Sequence, residues 1–133
     1  MKNEPMDPRD TFAQFGRTYQ EKVLQAMMQD GLFADQMLDV LKPKMFDVDY
    51  LQEIAGAFFD HKKKFRTFPS ADVLEVIITK DKDIDRSLSM QVREYLTRTK
   101  EVPLNGDAPY IQSSSLDFCK KQTIHQLQRQ LFH

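Results

Sequence analysis

Between Tyr50 and Val76 the chain reads YLQEIAGAFFDHKKKFRTFPSADVLEV, and no other stretch restricts the fold so strongly. Tyr50, Leu51, Ile54, Ala55, Phe58 and Phe59 recur at three- and four-residue spacings. The stripe continues through Lys62 to Phe65, so one helical face is apolar for about four turns. Lys62, Lys63, Lys64 and Arg66 crowd its far end, where unpaired carbonyls and the negative end of the helix dipole favour cations. Pro69 keeps Phe68 out of the helical region. Ser70 is placed to cap a second helix that carries Val73, Leu74, Ile77 and Ile78.

The flanking segments follow the same helical grammar. Residues 1–17 read as an N-terminal tail with Pro5, Pro8 and Gly16, although Phe12 and Phe15 are poor choices for a wholly solvated segment. Thr18 and Glu21 have capping-box spacing ahead of Tyr19, Val23, Met27 and Met28, and Gly31 is expected to supply a left-handed stop. Phe33, Met37, Leu38 and Leu41 mark a second helix closed by Pro43. Asp49 and Gln52 repeat the capping spacing for the long central helix.

Val76-Ile77-Ile78-Thr79 is β-branched and reads as a strand on propensity alone, but no second strand is there to pair with it, so the segment is read as helix. Ile84, Leu88, Val92, Tyr95 and Leu96 give a fifth helix. Pro, Asn-Gly and Asp within 102–109 mark the clearest internal loop, and Pro109 suits the first position of a last helix running to residue 133. Apolar residues fall on several sides of that helix, which implies more than one neighbour. The fold class is therefore all-α: a compact head of about five helices over 18–101, then a long helix, 110–133.

Bulk properties narrow the functions. With 133 residues there is enough chain for one domain with its own core. Charged residues make up 29% of it yet nearly cancel, leaving a formal charge of −1, so no global field draws it to nucleic acid or anionic membranes. A single cysteine, no signal-like start and no run of transmembrane length fit a reducing cytoplasm.

Catalytic and metal chemistry find little support. The four glycines are followed by Arg17, Leu32, Ala57 and Asp107, so the phosphate loop an ATPase needs is missing. Asp81, Asp83 and Asp85 imitate the start of a calcium loop, but Arg86 stands where glycine is required and Val92 where a closing glutamate is; they read better as helix N-terminal charge. His61, His125 and His133 have no neighbouring ligand at metal spacing and read as structural or solvated. Cys119 beside Lys120 and Lys121 is either a thiol of lowered pKa or a packing cysteine, the second being favoured. The cluster Lys62, Lys63, Lys64 and Arg66 is read as a solvated helix end with at most a weak DNA contact. Met27, Met28 and Met37 read as adaptable core.

The junction at Lys62 to Phe65, Pro69, Ser70 and Leu74 resembles the amino-terminal domain of the DnaB-like hexameric replicative DNA helicases, particularly their phage-type branch. There a lysine-rich helix end leads through an aromatic to a Pro-Ser/Thr-x-x-x-Leu restart. Phe118-Cys119-Lys120-Lys121-Gln122 is similar to the Phe-Cys-Lys-x-Gln segment on the hairpin that follows the head in that branch, so the resemblance spans roughly Tyr19 to the end and implies that the long helix, 110–133, begins a helical hairpin.

The resemblance implies a non-catalytic oligomerisation and partner-docking domain that supports ring assembly in DNA replication. Its partners would be itself, as a dimer and then a hexamer built as a trimer of dimers, and a primase or helicase loader. Neither motif carries catalysis. ATP and Mg would belong only to a motor domain outside these residues, and the setting would be the cytoplasm of a bacterium or a phage-infected host. The expected oligomer interface is Phe118, Ile124, Leu127 and Leu131 on the last helix, left uncovered by a helix that projects from its head. The alternative is a small helical DNA-binding or regulatory protein that uses the basic junction 61–66.

Overall fold

In a computed structural model the protein is described over residues 6–131, where six α-helices and short 3-10 turns account for the regular structure and no strand occurs. The helices are α1 (Gly16–Gln29), α2 (Gly31–Leu38), α3 (Asp49–Phe65), α4 (Ala71–Thr79), α5 (Arg86–Glu101) and α6 (Ala108–Leu131). The all-α expectation holds, and the β-branched segment Val76 to Thr79 is helical within α4. His133 lies outside the described residues.

The predicted stripe of α3 is the centre of the core. Leu51, Ile54, Ala55 and Phe58 are completely buried, and α3 contacts α1, α4, α5 and the 3-10 turn Pro43–Met45. The burial stops one turn early: Phe65 is 57% exposed, its ring against that of His61. Arg66 ends the helix in the left-handed conformation, φ 66°, with its N–H on the Lys62 carbonyl at 2.8 Å. Phe68 then stacks on Phe58, ring centroids 4.6 Å apart, and Ser70 Oγ accepts the Val73 N–H at 3.2 Å, the predicted cap.

Three other predicted helix ends are not the observed ones, each because another group satisfies the backbone better. Thr18 is inside α1, which is entered directly from the 3-10 turn Phe12–Phe15 through Gly16 at φ +83°, a conformation that needs glycine. Gly31 is no left-handed stop. Asp30 ends α1 in extended conformation, and its Oδ1 accepts the N–H groups of Leu32 and Phe33, so one carboxylate separates two helices. At α3 the N-cap position is Val48, and Gln52 instead donates to the Phe46 carbonyl at 2.6 Å. Leu41 falls beyond the end of α2 but remains in the core.

The N-terminal segment is tied to the head at Thr11 and Phe12, while Pro8 and Arg9 stay exposed. Phe12 is completely buried, with its ring 5.3 Å from Phe46 and 5.1 Å from Phe118. The loop 102–109 also adheres to the head: Leu104 is buried, Gln25 donates to the Val102 carbonyl at 2.6 Å, and Lys22 pairs with Asp107. Helix α6 starts at Ala108 and packs on α1 and α2.

Polar pairs fasten the helices where apolar contact runs out. Glu21 on α1 accepts two hydrogen bonds from Arg98, each 3.0 Å, and one from the Tyr50 hydroxyl, while its backbone carbonyl accepts from Tyr95. Burial acts to raise the Glu21 carboxyl, but the bonds from Arg98 and Tyr50 outweigh it and hold the group below its ordinary value.

Candidate functional site

Helix α6 divides into two halves of different character. Ile111, Ser115, Cys119 and Gln122 form its buried face, and after Gln122 no described residue is buried. Phe118, expected in an oligomer interface, is instead half-buried on its own chain between Phe12 and the edge of Phe15. What this corrects is the expectation that Phe118 is left uncovered: the first half of α6 lies along the head, and the N-terminal turns reach over part of that side chain.

Ile124, Leu127 and Leu131 behave as predicted for an uncovered face, at 53%, 55% and 79% exposed. At 3.6 residues per turn their stripe lies on the side of α6 opposite the buried face. Lys120 stands in line one turn ahead of Ile124, and no carboxylate follows Asp117. The far side is anchored, by Lys42 to Gln126 at 3.0 Å and by Arg129 to Asp10 at 3.1 Å. The last turns are therefore held straight while their apolar stripe faces water.

The basic junction is partly engaged on its own chain. Lys62 lies over the Phe68 ring, pairs with Asp35 at 3.6 Å and donates to the Arg66 carbonyl. Lys64 lies over Phe65. Consecutive lysines on a helix point about 100° apart, so Lys62, Lys63 and Lys64 diverge instead of tracking one backbone. His61 is taken up locally, its Nδ1 donating to the Thr67 carbonyl at 2.8 Å.

Among the described residues no group of three His, Cys, Asp or Glu side chains is placed to hold a metal ion, and no described helix is long and apolar enough to cross a membrane. Asp85 caps α5 and Asp81 accepts the Asp83 N–H, which uses two of the three aspartates of the calcium-like run in turns. Cys119 is completely buried against Met45, and burial pushes its thiol up to about 12, the opposite of a reactive cysteine.

One feature escaped the sequence reading. A groove of about 860 Å³ runs along the outward face of α3 and is closed on the other side by Ile77 and Ile78 of α4 and by Leu88 of α5. Gly56, Ala57 and Phe65 line it, as do Asp49, Glu53, Asp60 and Asp81 together with Lys44 and Lys64. Its signal in the sequence was a glycine in the middle of an amphipathic helix flanked by carboxylates one turn apart.

No protein-family model, curated protein or solved structure matches this chain, so its identity rests on its own residues and geometry.

Proposed function

We propose that this chain is a non-catalytic assembly module: the N-terminal oligomerisation and partner-docking domain of a DnaB-like replicative DNA helicase, which supports ring assembly and receives a primase or loader. The observation that carries the reading is the second half of α6, a helix pinned along one side while Ile124, Leu127 and Leu131 face solvent on the other. Burying each such side chain contributes roughly 1.5–3 kcal/mol. Three of them together are comparable with the roughly 4–15 kcal/mol that association costs in lost freedom. Self-association through this stripe alone is therefore expected to be weak, strengthening when further surface joins it.

The DNA-binding alternative has less to support it, because the lysines of the junction diverge and Lys62 is engaged on its own chain. Nor does the chain carry a phosphate loop, so it is expected not to hydrolyse ATP. Sedimentation velocity tests the assembly reading. The native chain should form dimers or larger species at high micromolar concentration, and Leu127→Asp should shift it to monomer with its helical circular dichroism unchanged. A native chain that stays monomeric, or a Leu127→Asp variant that associates equally well, would sink the reading.

A further inference from the structure

We propose that Asp10 and Arg129 form an ionic latch by which the N-terminal turns keep the last turns of α6 ordered, and so control self-association through the apolar stripe. The proposal rests on the assembly reading and adds how that surface is held ready to bind.

Beyond Gln122 the order of α6 has little apolar support. No described residue after it is buried, and Ile124, Leu127 and Leu131 face water. Gln122 Oε1 is itself buried without a hydrogen-bond partner, which weakens the packing where the two halves of the helix meet. Among the described residues, side-chain hydrogen bonds tie the turns that follow to the rest of the chain at Lys42 to Gln126, 3.0 Å, and at Arg129 to Asp10.

The second tie joins elements that are not packed together. A cleft of about 860 Å³ is lined by Asp7, Arg9 and Asp10 of the N-terminal segment and by Gln122, His125 and Arg129 of α6. Arg129 is bidentate on Asp10, with Nη1 donating to Oδ2 at 3.1 Å and Nη2 to Oδ1 at 3.3 Å. Asp7 is taken up by Arg9. The Asp10 side chain is only 15% exposed, and Phe12, two residues on, is completely buried, so the acceptor is fixed to the head while the donor sits on the helix end.

A partly exposed pair contributes little where a core already holds its partners. Here it acts on turns with no buried residue, whose local opening costs little, so the same contribution is a large share of what keeps them ordered. With the latch open, association must also order the turns that carry the stripe, and affinity falls accordingly. Arg129 is half exposed, so salt screens the pair. Added sodium chloride should therefore weaken an association that is itself apolar.

Hydrogen exchange read by mass spectrometry on the full chain at low micromolar concentration tests the latch apart from assembly. Asp10→Asn and Arg129→Gln should each speed exchange after Gln122 roughly two- to fivefold, the range for such a pair, and leave the head unchanged. The double variant should be no faster than either single one, because both remove the same tie. Sedimentation at high micromolar concentration reads the consequence: each variant should associate more weakly by a similar factor. Raising sodium chloride from about 0.05 M to about 0.5 M should weaken association of the native chain more than that of the variants.

Unchanged exchange after Gln122 in Arg129→Gln would overturn the latch, as would effects that add in the double variant. Equal salt responses in native and variant proteins would overturn its control of assembly. If exchange responds as expected but the native chain is monomeric at every concentration, the assembly reading fails and the control proposed here fails with it.

Discussion

The rings of Phe12 and Phe118 lie 5.1 Å apart, tilted at 37°, and join the first described turns of the chain to its last helix. The contact spans almost the whole sequence and is why α6 begins along the head. Phe12 also touches Phe46 and Tyr19, so its ring is a shared wall among the N-terminal turns, α1, α6 and the segment before α3.

Truncating Phe12 to alanine should therefore behave as a core deletion. Phe12→Ala is expected to cost about 3–5 kcal/mol, the range for a buried aromatic replaced by a methyl group. Urea denaturation checks this. A loss below about 1 kcal/mol would mean that the N-terminal turns are dispensable to the head.

Ser70 is the predicted and observed cap of α4. Ser70→Ala should destabilise the fold by about 1 kcal/mol, since the Val73 N–H loses its side-chain acceptor. Thermal melting measures it, and an unchanged midpoint would show that water caps that helix equally well.

Glu21 should make stability depend on acid. Its carboxyl is held below the ordinary value by Arg98 and Tyr50 against the opposing effect of burial. A lowered folded-state pKa contributes stability that is fully present above the unfolded value of 4.5 and is lost as pH falls through the folded value. Glu21→Gln should be less stable than the native chain at pH 7, but it should lose less on going to pH 3. Equal losses in both proteins would assign the acid sensitivity to other carboxylates.

The lysine cluster should matter little to nucleic acid. Replacing Lys62, Lys63 and Lys64 by glutamine is expected to leave the helices intact and to change DNA affinity little at physiological salt. Fluorescence anisotropy with a labelled duplex decides it. Tight, steeply salt-dependent binding by the native chain, lost in the variant, would revive the DNA-binding alternative.

Much of the architecture was legible in the residues because it rests on local rules. The α3 stripe, the Pro69-Ser70 restart and the long last helix are consequences of apolar spacing and of backbone limits that act over a few residues. The exposed trio Ile124, Leu127 and Leu131 was legible for the same reason: their periodicity is local.

Misread positions were those where a distant partner competes with a local one. Glu21 has capping-box spacing from Thr18, yet its carboxylate is satisfied by Arg98, 77 residues away. Phe118 sits on a helix that periodicity leaves uncovered, yet Phe12 and Phe15 arrive to cover it. The α3 groove was equally invisible, because its lining is gathered from α3, α4, α5 and the turn at Pro43. The sequence by itself determined that the chain is helical, where the central helices break, and which face of the last helix is apolar near its end, since each depends on neighbours within a turn or two. Only the tertiary structure decided which of those faces are covered and which stay open, because covering a face depends on side chains brought together from positions far apart in the chain.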